Sequence, residues 1–83
     1  MDIHHLVKMA NEIGAFFVTG NDDATAAALI ADHLRRFWDP RMRKQILAHL
    51  SQGGEGLKPA VASAVRLLAE GKGANQQAGS VGK

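Results

Sequence analysis

The sequence predicts an all-α chain: a small bundle of about four short helices, residues 1–70 forming one domain, then a flexible tail over 71–83. Three observations point there. Fourteen of the 83 residues are alanine, none is tyrosine, and threonine occurs only at Thr19 and Thr25, a bias toward residues that lose little freedom in a helix. Apolar side chains recur at helical spacing in successive stretches. Proline and most of the glycines punctuate the gaps between those stretches, Gly14 within the first being the exception.

The first helix is expected over Asp2–Val18. Ile3, Leu6, Val7, Ala10, Ile13, Gly14 and Phe17 form one amphipathic stripe, Asp2 is a candidate cap, and Thr19-Gly20-Asn21 supplies turn chemistry. Met9 and Phe16 lie beside that stripe and widen the apolar face beyond the needs of one small core. A second helix, capped by Asn21 or Asp22, should reach Phe37 with Ala27, Ile30, Ala31, Leu34, Phe37 and Trp38 inward. Its alanines permit close approach, which predicts an antiparallel hairpin with the first helix. Asp32 and Arg36, four apart, are placed to form a surface ion pair.

Asp39-Pro40 is the sharpest local signal. Aspartate suits an N-cap, proline suits the first helical position, and proline also ends the preceding helix near Trp38. A third helix should therefore run from Pro40 to Ser51, with Met42, Ile46, Leu47 and Leu50 inward, stopped by Gly53-Gly54. Pro59 opens a fourth, to Glu70, with Leu57, Val61, Ala64, Val65 and Leu68 on one side and Gly71 as its stop. The glycine- and glutamine-rich remainder has the composition of a loose tail.

Composition bounds the function. Without cysteine there is no disulfide, no thiolate zinc site and no cysteine ligand for an iron–sulfur cluster. The longest apolar run, Ala24 to Ala31 and interrupted by Thr25, falls far short of the ~20 residues of a membrane span. The opening Met1-Asp2-Ile3-His4-His5 lacks a secretory pattern, so a cytoplasmic protein is expected. Twenty-four large apolar residues suffice for one modest core, and a net charge of +2 does not mark a polyelectrolyte binder. A chain this short hides only ~60% of its unfolded surface, so stability must come from an efficiently packed core or from a partner.

Catalytic groups are sparse. His4 and His5 point ~100° apart on a helix, and His33 and His49 sit on different helices, so surface or edge-of-core roles are expected for all four. Ser51, Ser63 and Ser80 lack a nucleophile-elbow pattern. Asp22-Asp23 reads as helix capping. The glycines at 53, 54 and 56 follow a helix and lack a lysine-serine or lysine-threonine ending, which argues against a phosphate loop. The expectation is a non-enzyme that holds no metal or cofactor itself.

The informative segment runs from Leu34 to Lys44. It holds five of the ten basic residues and two of the four aromatics, with one acid among them. Phe37 and Trp38 are expected to anchor a corner in the core, with the arginines solvated or laid over apolar surface. Tryptophan and arginine are also enriched at interfaces, which makes the corner a candidate binding surface for an acidic protein, ahead of nucleic acid. The rival is a helix-turn-helix reading, with Arg41, Arg43 and Lys44 near the start of the third helix. Nearly balanced charge and the acidic Asp22-Asp23 turn weigh against it.

The stretches Leu6–Gly14, Ile30–Arg43 and Gly53–Leu57 resemble the delta subunit of soluble, NAD-dependent molybdenum formate dehydrogenase, over roughly residues 4–70. The middle block, with Arg35-Arg36-Phe37-Trp38-Asp39-Pro40-Arg41-Met42-Arg43, is the specific part. The resemblance implies an accessory subunit without catalytic residues, in a cytoplasmic complex that oxidises formate and reduces NAD. It implies a catalytic alpha subunit with molybdopterin guanine dinucleotide and iron–sulfur clusters, and beta and gamma subunits with FMN, NAD binding and further clusters. Interface residues expected on this basis are Met9, Phe16, Arg35, Arg36, Phe37, Trp38, Asp39, Pro40, Arg41 and Arg43. The Met9–Phe16 flank and the basic corner would cover apolar and acidic surface on the alpha subunit. A transient assembly factor is the further alternative.

Overall fold

A computed structural model describes residues 2–71. Four helices follow in order: α1 (Ile3–Val18), α2 (Asp23–Phe37), α3 (Pro40–Ser51) and α4 (Pro59–Ala69), with no strand among the described residues. Three of them begin on an aspartate whose side chain accepts an otherwise orphaned backbone N–H. Asp2 accepts from His4, Asp22 from Thr25 at 2.7 Å and Asp39 from Met42 at 2.9 Å. Pro40 and Pro59 occupy first-turn positions of α3 and α4. The expected tail lies outside the described residues apart from Gly71.

The end of α3 explains Gly53-Gly54. The Gly54 N–H donates to the His49 carbonyl (2.9 Å) and the Gly53 N–H to that of Leu50 (3.0 Å), the paired bonds of a Schellman ending. Both glycines have positive φ, +117° and +64°, where a side chain would be strained.

The core is led by α2, whose Ala26, Ala27, Ile30, Ala31 and Leu34 are all buried. Leu6 and Ala10 of α1, Ile46 of α3, and Ala60, Val61, Ala64 and Val65 of α4 complete it with Trp38. Helices α1 and α2 pack together, as expected of them, but the most extensive helix pairing is α2 with α4. The reason is complementarity of size: the alanine face of α2 meets a helix that is itself small on its inner side, so the two backbones approach closely. Helix α3 lies shallow, with Ile46 buried and Met42, Leu47 and Leu50 half-buried.

Phe37 corrects an expectation. The helical wheel puts it within the inward arc of α2, yet it is 71% exposed. The helix stops there, and extended backbone at Trp38 turns the indole into the end of the core in its place. Of the two expected flank residues, Met9 is half-buried and packs against the core, and Phe16 is 75% exposed.

The cap at Asp22 makes stability acid-sensitive. Hydrogen bonds from the Thr25 backbone and then its side chain lower the carboxyl pKa below its ordinary value. A lowered folded-state pKa stabilises the fold above the unfolded value and loses that contribution as pH falls through the folded one. Asp22→Asn keeps an acceptor at the cap and removes the titration. Melting temperatures followed by circular dichroism should therefore fall less steeply below about pH 4 in Asp22→Asn than in the parent chain.

Candidate protein-docking surface

The basic corner divides into an inward and an outward set. The N–H of Trp38 donates to the Leu34 carbonyl (3.0 Å), closing α2. One guanidinium nitrogen of Arg43 donates to the carbonyls of Arg35 (2.7 Å) and Trp38 (3.0 Å), reaching back from α3 to the carboxyl end of α2. That end carries unpaired carbonyls and partial negative charge, so a cation suits it. Asp39 is occupied as the cap of α3. Trp38, Asp39 and Arg43 thus build the corner, and Arg36, Phe37, Arg41 and Lys44 are left exposed on it. Arg36 Nε lies 3.0 Å from Asp32, the expected i, i+4 pair, and Arg35 lies 3.9 Å from the same carboxylate.

The inward assignment of Arg43 is testable. Arg43→Met keeps the stem and removes the charged donor, and should cost about 1.5 kcal/mol, the lower end for a bond to a charged group. Thermal unfolding measures this. A loss below about 0.5 kcal/mol would show that water satisfies the two carbonyls equally well.

Beside the corner, four rings run in series across α1 and α2. Phe16 meets Phe17 edge-on with centroids 5.2 Å apart, Phe17 meets His33 at 6.0 Å, and His33 lies tilted on Phe37 at 4.7 Å. Phe17 reaches the core, while Phe16 and Phe37 face solvent at the two ends. The series is a preformed apolar ridge, because each ring restricts its neighbour. Sequence reasoning named Phe16 and Phe37 but missed Phe17 and His33. The i, i+4 spacing of His33 and Phe37 was the available signal.

The Leu6–Gly14 stretch meets the region around Gly53–Leu57 through Asn11. Its amide nitrogen donates to the Gly56 carbonyl (2.9 Å), and its carbonyl oxygen accepts from the Lys58 N–H (3.0 Å). Asn11 thereby ties the α3–α4 connection to α1 from more than forty residues away. His49 adds a bond from Nε2 to the Glu55 carbonyl (2.7 Å), which fixes that nitrogen as the donor. The Leu6–Gly14 and Gly53–Leu57 stretches are thus tied together, and Leu6 and Ala10 share one core with Ile30, Ala31, Leu34 and Trp38 of the middle stretch. The family model described as NADH-dependant formate dehydrogenase delta subunit FdsD matches residues 5–65. The chain belongs to the FdsD family. No curated protein and no solved structure matches it.

The remaining candidate groups of this FdsD chain are dispersed. His4 is exposed beside Asp2, His33 belongs to the ring series, and His49 holds a loop. Ser51 Oγ donates to the Ala48 carbonyl at 2.8 Å, Ser63 is half-buried in α4, and Ser80 lies outside the described residues. Among the described residues no three His, Asp or Glu side chains are grouped to hold a metal, and no helix is long and apolar enough to cross a membrane. A depression at the start of α3 is lined by Asp39, Pro40, Arg41 and Lys44. A more apolar groove runs between α1 and α4 past Gly14, Ala15, Val18 and Val61.

Proposed function

We propose that this FdsD protein is a non-catalytic accessory subunit of a cytoplasmic, NAD-dependent molybdenum formate dehydrogenase, docking on the catalytic alpha subunit of a complex that also holds beta and gamma subunits. Formate oxidation and NAD reduction belong to those partners. The observation that carries the reading, beside family membership, is the exposed aromatic ridge ending in Phe16 and Phe37. A chain of this size gains little by leaving two phenylalanines in water unless another surface covers them. Met9, Trp38, Asp39, Pro40, Arg35 and Arg43 act behind that surface by holding its shape; Arg36, Arg41, Phe16 and Phe37 make the contact.

The donor chemistry of the chain does not fit the iron–sulfur clusters of such a complex. Iron–sulfur clusters need thiolates, and the chain has no cysteine. The clusters are therefore assigned to the larger subunits, and family membership favours the same assignment for molybdopterin guanine dinucleotide, FMN and NAD. The role of this chain is thermodynamic: binding the assembled form preferentially shifts the equilibrium toward it. Affinity purification of the native protein tests this. One copy per catalytic subunit in the mature, active enzyme is the expected result. Its absence from mature enzyme, with presence only on the unassembled alpha subunit, would make it an assembly factor instead.

A further inference from the structure

We infer that the ridge and the start of α3 form one two-part surface, whose occupant is an amphipathic protein surface carrying carboxylates at the Phe37 end only. This rests on the accessory reading above and specifies the chemistry of the partner. Phe16 and Phe37, 75% and 71% exposed, bracket a continuous ring series, so the apolar part spans two helices and its rings are already arranged side by side before binding. Preorganisation of this kind lowers the ordering cost of association.

The polar part follows from which charges are already used. Arg36 bonds Asp32 through Nε and remains exposed, and Asp39 is held as a cap. Arg41 and Lys44 are exposed, face a common depression, and have no carboxylate within ion-pair distance among the described residues. Arg41 follows Phe37 by four residues, so its backbone lies within ~14 Å of the ridge's end. The opposite end of α2 is acidic, with Asp22 and Asp23 at its start. Fifteen helical residues separate the two ends by ~22 Å. The cations thus lie at one end of the ridge, where a partner's carboxylates are attracted, and the acids at the start of α2 lie away from them. That asymmetry selects orientation as well as partner.

Nucleic acid fits less well. A phosphate chain needs a track of cations, whereas these lie at one end and acids at the other. One face of Phe37 is also taken by His33, which reduces it as a stacking platform.

The test uses the full chain, tagged and co-expressed with its cognate catalytic subunit, recovered at about 50 mM and about 500 mM salt. Phe16→Ser with Phe37→Ser should reduce the retained catalytic subunit about tenfold at both salts, since apolar burial is not screened. Arg41→Glu with Lys44→Glu should reduce it comparably at low salt and approach the unaltered chain at high salt. Arg66→Glu, an exposed cation on α4, should leave retention unchanged. All four aromatic and basic positions are exposed, and helix content read by circular dichroism should match the parent. If both double variants retain the catalytic subunit like the parent, this surface is wrong while the accessory reading stands. No retention by the unaltered chain overturns both. A DNA duplex retained by the parent and lost with Arg41→Glu/Lys44→Glu, or a homodimer dissolved by Phe16→Ser/Phe37→Ser in sedimentation, overturns the inferred occupant.

Discussion

Trp38→Ala is expected to cost about 3–5 kcal/mol, the range for removing a large aromatic from a packed interior. The indole is 4% exposed and sits where α2, the corner and the core meet. A domain of this size has only ~4–12 kcal/mol of total stability, so one substitution removes a large part of it. At about 4–8 °C per kcal/mol, the melting temperature should fall by at least ~12 °C. Far-UV circular dichroism is the appropriate probe, because the variant lacks the chain's single tryptophan. Trp38→Phe should lose distinctly less. A fall of only ~4 °C in Trp38→Ala would show that the ring does not close the core and is available to a partner instead.

Gly14→Val should be comparably damaging by the opposite mechanism. Gly14 is buried in α1, and a Cβ there would overlap Cγ2 of Val61 and come within 3.6 Å of Ile30 Cδ1. Valine is branched at Cβ and stiff, so Val61 has little freedom to withdraw, and α1 must shift away from α4. Overpacking of this kind costs about 1–3 kcal/mol, and the severity of this overlap places the variant near about 3. Adding Val61→Ala relieves the contact and should recover more than half of the loss. Such coupling in a double-mutant cycle identifies a direct contact. Additive effects would mean that Gly14 acts through helix propensity and not through closeness to α4.

The boundaries of all four helices were legible because their causes are local. Asp2, Asp22 and Asp39 act on backbone groups within three residues, and Pro40 and Pro59 restrict their own φ and the preceding residue. The Asp32–Arg36 pair was legible for the same reason. Asn11 was not: nothing in its helical neighbourhood distinguishes it from a solvated polar residue, and its partners are 45 and 47 positions away. Arg43 was placed in the right segment, but its particular partners were not legible. Its charge is evident, but its partners are carbonyls of the preceding helix, which become reachable only once the corner folds.

Phe37 and Trp38 show where the two levels separate. Composition, spacing and capping established an all-α chain, the ends of its helices, the corner at Asp39-Pro40 and the lack of thiolate chemistry; the resemblance to formate dehydrogenase delta subunits came from the residues of the Leu6–Gly14, Ile30–Arg43 and Gly53–Leu57 stretches themselves. Periodicity treats every turn of a helix alike, and it set both aromatics inward. Burial depends also on whether another element lies opposite that turn, and at the last turn of α2 the core is already closed by the indole. The fold therefore leaves Phe37 on the surface, joins it through His33 and Phe17 to Phe16, and pairs α2 with α4. Those outcomes follow from where separate helices end and how closely their small faces approach, which no single stretch of chain encodes.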